Sequence, residues 1–278
     1  MIDVLLAKYR PDPETLAAQT ASIRAQAGVE VNLIERDDTE HEGPMANFSA
    51  LLESSTSPYV AFSDQDDIWM KDKLSRSMEA MKRLEERHGK DMPLLVFTDA
   101  VVVDENLRVL DKSLFARSKI NPLRTSPEQL LFQNVANGNT MLFNAALREK
   151  VNPIPDKAFM HDHWVMLVAS VFGMIECLQE PTILYRQHGS NAIGGAKVGF
   201  RYYLEKILQG RRIVHERLYA NVRQAEAFVE RFGSASPESF CALAGIGRLP
   251  WHRRVSLLCK HGIFKNGLLR NIGTFMVV

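Results

Sequence analysis

The feature that most constrains the fold is the alternation of strand and helix patterns over the first hundred residues. An apolar run at 2–7 is followed by Asp12 and Pro13, which suit a helix N-cap and the first helical position. Similar runs and helical repeats follow in order at 31–34, 45–53, 59–62, 74–84 and 94–97. Shorter strand patterns follow at 100–103, 140–143 and 182–185, and a later helical pattern has an apolar face that includes Leu218, Val222 and Ala225. Strands connected by helices at these lengths predict right-handed crossovers and an α/β fold with a mainly parallel sheet flanked by helices.

Polar residues follow the predicted strands. Tyr9 comes after the first strand, Asp38 after the second, and Asp64 and Asp66 after the third. Ligands of open α/β sheets bind beyond the carboxyl ends of the strands. We therefore expect these side chains to lie along one edge of the sheet.

The segment FSDQDDIW, residues 62–69, places three carboxylates within four positions: Asp64, Asp66 and Asp67. A hard divalent cation would remove their mutual repulsion. Acidic residues at a helix N-terminus are an alternative, because they interact favourably with the helix dipole. On either interpretation Asp67 is expected to cap the following helix. A calcium loop of the EF-hand type is excluded, since its sixth position would be Trp69 instead of glycine.

A second polar group, His161-Asp162-His163-Trp164, precedes an apolar helical run. Two interpretations remain open for it: a functional aspartate, or an N-cap aspartate flanked by surface histidines. The HxHxDH pattern of a metallo-hydrolase is absent, because apolar residues occupy the required positions.

Two loops supply further candidates. His188 lies in Tyr185-Arg186-Gln187-His188-Gly189-Ser190-Asn191, after a predicted strand, and either closes a metal site or is a surface residue. Gly138, in the segment Asn137-Gly138-Asn139-Thr140, is a candidate for the floor of a sugar pocket because glycine permits close backbone approach. A plain turn explains this short segment equally well.

Four motifs, FSDQDDIW, NGNTMLFN, HDHW and YRQHGSN, occur in an order and spacing that resemble the family 2 glycosyltransferases of the GT-A fold. Within that family the chain is most similar to bacterial rhamnosyltransferase-like enzymes of O-antigen and surface polysaccharide synthesis. The resemblance covers nearly the whole chain. It implies a Rossmann-like GT-A catalytic domain at 1–198, with a nucleotide-binding half at about 1–100 and an acceptor-binding half at about 100–198.

The resemblance also implies roles for the donor-side residues. Tyr9 would stack on the nucleobase of the donor, and Asp38 would hydrogen-bond to it. Asp64 and Asp66 match the DxD motif, with Asp66 as the principal ligand of Mg²⁺ or Mn²⁺ and Asp64 near the ribose or the metal. His188 matches a histidine that reaches the metal or the diphosphate.

Asp162 matches the catalytic base of that family. An acceptor hydroxyl needs a carboxylate within hydrogen-bond reach, and burial near Trp164 and Phe159 is expected to raise the pKa of Asp162. The match is weaker at the nucleobase, because Thr39 and Glu40 replace the usual small residue and serine after the paired aspartates. Lys8 and Arg10 also stand where this family more commonly has Thr and Asn.

The implied activity is inverting, metal-dependent sugar transfer from a TDP- or UDP-linked donor to a growing, lipid-linked surface polysaccharide, with rhamnose as one candidate sugar. A metal-dependent nucleotide-sugar hydrolase could use the same aspartates. An inactive membrane-associated scaffold of a polysaccharide assembly complex is the alternative from another class. A sugar-nucleotide pyrophosphorylase is excluded, because its glycine-rich first loop has no counterpart at 7–10.

Charge divides the chain near residue 198. Residues 1–198 contain 21 Lys and Arg against 28 Asp and Glu, whereas 199–278 contain 13 against 5, giving net charges of −7 and +8. The second region is predicted to be a basic helical appendage. No acidic residue follows Glu238, and basic residues alternate with apolar ones. This pattern favours an anionic membrane surface, or packing on the catalytic domain, and it contains no nucleic-acid-binding motif.

The sequence also indicates a location. No secretory signal and no apolar run of about 18 residues is present, so a cytoplasmic protein on the inner face of the membrane is expected. The three cysteines, Cys177, Cys241 and Cys259, are far apart, which makes a disulfide framework or a cysteine zinc site unexpected.

Overall fold

The protein is described by a computed structural model that covers the backbone of residues 1–187 and 200–278 and the side chains of 1–187 and 215–278. The chain divides into two compact units. The first contains Met1–Thr125, Asn134–Ile154 and, of the described residues, 160–187. The second contains Ser126–Gln133, Pro155–Phe159 and the described residues from 200 onward. A domain boundary near residue 198 stays a prediction.

The first unit is built on a sheet of eight strands within the described residues. The strands are β1 (Ile2–Lys8), β2 (Val31–Asp37), β3 (Tyr59–Ser63), β4 (Ile68–Trp69), β5 (Leu94–Val103), β6 (Val109–Asp111), β7 (Met141–Asn144) and β8 (Met174–Arg186). Their order is β2-β1-β3-β7-β5-β8-β4, with β6 beside β5.

The helices of the described residues are α1 (Pro13–Arg24), α2 (Pro44–Ser54), α3 (Lys73–His88), α4 (Leu114–Ser118), α5 (Pro127–Leu130), α6 (Ala145–Val151), α7 (His161–Phe172), α8 (Phe200–Phe232), α9 (Glu238–Ala244), α10 (Trp251–Lys260) and α11 (Leu268–Phe275). In the first unit, α2 packs on β1 and β2, α3 packs on β5, and α7 packs on β5 and β8.

The local signals in the sequence explain how these elements begin and end. The Asp12 carboxylate accepts a hydrogen bond from the backbone N–H of Thr15 at 2.9 Å, and Pro13 opens α1, as predicted. Helix α3 stops before Gly89, which takes a φ of 86° that only glycine adopts easily. The predicted strand, helix, strand order of the first hundred residues is therefore confirmed.

The sheet is mixed. Strand β1 runs parallel to β2 and β3, and β5 runs parallel to β8. Strand β7 is antiparallel to both of its neighbours, β3 and β5, and β4 is antiparallel to β8. The parallel strands β1, β2 and β3 bring their carboxyl ends to one edge of the sheet, so the residues after them are positioned together.

Two strands are longer than the sequence indicates. Segments 94–97 and 100–103 were expected as separate strands, but they form the single strand β5, which is paired with β8 along its length. Only 182–185 of β8 was expected, since its first half is partly exposed and carries polar residues that hide the strand pattern. The apolar core of the unit includes Leu74, Leu94 and Ile183.

The second unit consists mainly of α8 to α11, with α5. Leu218, Val222 and Ala225 of α8 are buried, which agrees with the predicted apolar face of this helix. Within residues 1–187 and 200–278, none of the helices combines the length and the hydropathy that crossing a bilayer requires.

Candidate active site

The carboxylates that follow β3 form the centre of the candidate site. Burial raises the pKa of Asp64 to about 7, and the charges of Asp66 and Asp162 add to the shift. The backbone N–H of Gly138 bonds to Asp162, and the side chain of the adjacent Asn139 bonds to Asp67. The structure therefore brings the predicted base close to the acidic loop, although almost a hundred positions separate Asp64 from Asp162 in sequence.

Asp162 lies in the first turn of α7 and is held by backbone N–H groups. The N–H of His163 donates to its Oδ1 at 2.6 Å, and the N–H of Gly138 donates to the same carboxylate. Burial raises the pKa of Asp162 to about 6, against the lowering effect of these hydrogen bonds. Asp162 is therefore an oriented carboxylate whose pKa suits proton abstraction near neutral pH.

Gly138 lies against His161. A Cβ at position 138 would be 2.8 Å from Nε2 of His161 and 3.4 Å from Cβ of Asp162. The His161 ring cannot easily move away, because it stacks on Phe48 at 3.9 Å and meets the edge of Phe62 at 4.8 Å. Close backbone approach at Gly138 was predicted. The partner in the structure is this histidine, and the role of Gly138 in holding a donor sugar stays a prediction.

His161 is a buried, uncharged histidine. Burial lowers its pKa to about 3, and its ring nitrogens have no hydrogen-bond partner among the described residues. The first histidine of HDHW is therefore not a surface residue. His163 is buried as well, so the interpretation of this motif as a solvated N-cap is wrong.

Asp67 does not cap a helix. It is followed by β4, and α3 begins only at Lys73 with Asp72 as its N-cap residue. The carboxylate of Asp67 instead accepts hydrogen bonds from Nδ2 of Asn139 and, at 3.0 Å, from the backbone N–H of Arg186. Asp67 therefore ties the loop after β3 to the turn before β7 and to the end of β8.

Arg186 reinforces that connection. Its Nε donates to the backbone oxygen of Asp66 at 2.9 Å, and its Nη1 donates to that of Glu105. Tyr185 lies nearby. Burial raises the pKa of its hydroxyl, and the charges of Asp64, Asp67 and Asp66 raise it further. The end of β8 thus fixes the acidic loop, although the sequence singled it out only as the start of the His188 motif.

Gln65 connects the acidic loop to Tyr9. The backbone N–H of Tyr9 donates to Oε1 of Gln65 at 2.7 Å, and Nε2 of Gln65 donates to the backbone oxygen of Tyr9 at 3.1 Å. Tyr9 is 46% exposed, with its ring edge-to-face with His41 at 5.5 Å. The guanidinium carbon of Arg10 lies 5.3 Å from the ring centre, and stacking of Tyr9 on a nucleobase stays a prediction.

Asp38 is buried and shapes the loop before α2. Its two carboxylate oxygens accept the N–H groups of Glu42 and Gly43, each at 2.8 Å. Burial raises the pKa of Asp38, but the hydrogen bonds outweigh this effect, so the pKa lies below its ordinary value. Each oxygen keeps lone-pair capacity for another donor, so a nucleobase contact is compatible with this geometry and stays a prediction.

Lys73 is a feature that the sequence did not reveal. It opens α3, is completely buried, and holds Nζ at 4.5 Å from the centre of the Trp69 ring. Within the described part of the chain Nζ has no hydrogen-bond acceptor. Burial lowers its pKa to about 7, against the attraction of Asp67. A lysine at the start of a predicted helix is expected to be exposed to solvent, so the sequence contained no signal that Lys73 is buried.

The expected metal ligands are Asp64, Asp66 and His188, and His188 lies outside the described residues. Within 1–187 and 200–278, no three His, Cys, Asp or Glu side chains are grouped so that they could hold a metal. The two aspartates offer hard oxygen donors in a cluster whose charges repel. Mg²⁺ is commonly bound by one or two carboxylates together with substrate phosphates, so this donor set fits such an ion.

Similarity to solved structures establishes the fold. The chain resembles S. aureus TarS 1–349 in complex with UDP-GlcNAc with a TM-score of 0.52 and 14% sequence identity, over 99% of this chain and 90% of that one. A second structure of S. aureus TarS 1–349 gives 0.51 and 13% identity, over 99% and 89%. The fold is therefore of the GT-A type, as expected.

Sequence comparison adds no family. No family model matches the chain, and no curated protein matches it.

Proposed function

We propose that the protein is an inverting, metal-dependent glycosyltransferase that moves a sugar from a nucleoside-diphosphate-sugar donor to a growing surface glycan. The observation that supports the proposal is the position of Asp162 next to the loop that carries Asp64 and Asp66: Gly138 bonds to Asp162, and the adjacent Asn139 bonds to Asp67 in that loop. A GT-A neighbour in complex with UDP-GlcNAc supports the choice of donor class.

Asp162 would act as general base. The N–H groups of His163 and Gly138 hold its carboxylate, and with a pKa of about 6 it is largely ionised at neutral pH while remaining more basic than an ordinary aspartate. It would take the proton of an acceptor hydroxyl as that oxygen attacks the anomeric carbon from the face opposite the leaving diphosphate. One such displacement inverts the anomeric centre.

Asp66, with Asp64, would hold Mg²⁺ or Mn²⁺. Such an ion, when bound, offsets the negative charge of the departing diphosphate. The protein contributes the fixed loop: Asp67 and Arg186 anchor it to β8, and Gln65 anchors it to the backbone of Tyr9. Tyr9 and Asp38 are the residues that we propose for the nucleobase, and Gly138 for the donor sugar.

The finer parts of the proposal concern the sugar and the acceptor. We propose a TDP- or UDP-linked donor, with rhamnose as one candidate sugar, and a lipid-linked polysaccharide as acceptor. His188 would assist at the metal or the diphosphate. The enzyme would work on the inner face of the cell membrane, with residues 199–278 at an anionic lipid surface.

The test is a donor screen with the purified protein. TDP- and UDP-linked sugars are incubated with Mg²⁺ or Mn²⁺, with and without an acceptor glycan, and the released diphosphate and the anomeric configuration of the product are measured. Diphosphate release that requires acceptor, with an inverted product, supports the proposal. Equal release without acceptor, with free sugar as product, would show a hydrolase instead.

Asp162→Asn sharpens this test, with the exposed Asp156→Asn as matched control. We expect Asp162→Asn to lower kcat by about 10² to 10⁴ with the donor KM little changed, since a general base contributes on that order. Asp156→Asn should keep the wild-type rate. An Asp162→Asn protein that transfers sugar at the wild-type rate would exclude this base.

A further inference from the structure

Helix α11 in the second unit turns its apolar side chains to solvent. Leu268, Leu269, Ile272 and Met276 are 76%, 83%, 45% and 62% exposed. Their spacing places them on one face of the helix and its C-cap. A surface helix normally buries such a face, so a continuous exposed stripe marks a contact site.

The opposite face of α11 carries the polar contacts. Oδ1 of Asn271 accepts the N–H of Lys265 at 2.7 Å, and its Nδ2 donates to the Lys265 oxygen at 2.9 Å. Thr274 is buried and donates to the Arg270 oxygen at 2.9 Å. These bonds hold α11 to the residues just before it and stabilise its own backbone, and the helix packs on α8. The apolar stripe is left exposed.

Trp251 extends this apolar face. Its ring is 57% exposed, and Nε1 donates to the backbone oxygen of Phe275 at 2.8 Å. The indole is thereby held at the C-terminal end of α11 with its one polar atom satisfied. Tryptophan is enriched where apolar surface meets polar headgroups, because its ring is apolar and its N–H needs a partner.

Exposed positive charge lies beside Trp251. Arg248 and Arg253 flank it in the sequence, and both are exposed. No Asp or Glu follows Glu238, so residues 239–278 carry basic side chains and no acidic ones. Such a segment attracts an anionic surface.

We propose that Leu268, Leu269, Ile272, Met276 and Trp251, with Arg248 and Arg253 beside the tryptophan, form a docking face for an anionic lipid bilayer. A bilayer offers phosphate groups and hydrocarbon side by side, which matches an exposed apolar stripe with exposed arginines next to it. A second copy of the chain fits less well, because it would bring the same positive charge to the interface.

This inference deepens the proposed function, on which it rests for the claim that docking serves a lipid-linked acceptor. The docking face contains none of the residues of the candidate active site. Vesicle binding and sugar transfer to a soluble acceptor are therefore separate measurements, and either can fail while the other succeeds.

The test is co-sedimentation of the full chain with vesicles of phosphatidylcholine alone or of phosphatidylcholine with phosphatidylglycerol. We expect binding to the anionic vesicles that weakens as salt rises. Leu268→Asn with Leu269→Asn should weaken it by about a hundredfold, since each buried leucine contributes about tenfold. Arg248→Gln with Arg253→Gln should weaken it by about 25-fold, from about 1 kcal/mol for each charge.

Matched controls lie in the first unit. Leu110→Asn with Leu123→Asn removes two exposed leucines, and Arg24→Gln with Lys82→Gln removes two exposed charges. Both controls should bind vesicles like the wild type. The proposal is overturned if the wild type stays in the supernatant with anionic vesicles, or if control and α11 variants lose binding equally. It is also overturned if sedimentation without vesicles shows that the chain self-associates through Leu268 and Leu269 while their substitution leaves vesicle binding unchanged.

Discussion

Gly138→Ala tests the contact that positions the proposed base. The new methyl would lie 2.8 Å from Nε2 of His161, closer than real Cβ contacts, and the ring is held by Phe48 and Phe62. Adding a methylene to a packed interior costs about 1–3 kcal/mol, and we expect the free energy of unfolding to fall by that amount. Any shift of the Gly138 backbone also weakens its N–H bond to Asp162, so kcat should fall by about tenfold or more.

The measurement is a double-mutant cycle by chemical denaturation, with kcat determined alongside. In a His161→Ala background the obstructing ring is gone, so Gly138→Ala should cost close to nothing there. Gly273→Ala is the control: it has open space around it on a helix and should be neutral or stabilising by up to about 1 kcal/mol. An equal cost of Gly138→Ala in both backgrounds would refute the reasoning.

Three further predictions concern pH. The kcat of the proposed sugar transfer should rise as pH passes through about 6, where Asp162 ionises, and Asp162→Asn should lack this rise in a pH–rate profile. Lys73 has a folded pKa of about 7, below its unfolded value, so its contribution to stability rises from pH 7.5 to 9 by up to about 1.4 kcal/mol per unit. In chemical denaturation of Lys73→Met, the free energy of unfolding should no longer rise with pH over this range. An unchanged rise would contradict the burial of a neutral amine. Asp3 is buried, but hydrogen bonds from Ser57, Asn32 and Ser55 lower its pKa to about 2, so about 2 kcal/mol of stability should be lost as pH falls from 4 to 2. Asp3→Asn should lose this acid dependence in the same assay, and a variant that keeps it would count against these bonds.

The sequence predicted the elements that have strong local signals. Asp12 and Pro13 announced α1, Gly89 ended α3, and short apolar runs located β1 and β3. Strand β8 was only partly visible, because side chains in its first half are half exposed and do not alternate. The antiparallel insertion of β7 between β3 and β5 depends on pairings across many residues, which local periodicity does not encode.

The candidate site was predicted unevenly for a similar reason. Asp64 and Asp66 are separated by one residue in sequence, and the resemblance to GT-A transferases connected them with Asp162. The contacts of Asp67 were missed, because its partners Asn139 and Arg186 are distant along the chain. The local sequence suggested that Asp67 caps a helix, because a helix pattern follows it.

Calorimetric titration of UDP and TDP, with and without Mn²⁺, tests whether the acidic loop after β3 forms a metal-dependent nucleotide site. We expect one of the two nucleotides to bind the wild type with Mn²⁺, and we expect omission of the metal or Asp66→Asn to weaken this binding by at least about tenfold, since Asp66 would be the principal ligand. The exposed Asp72→Asn should bind like the wild type. Nucleotide binding that is equally strong without metal and unaffected by Asp66→Asn would rule out a metal site at Asp66.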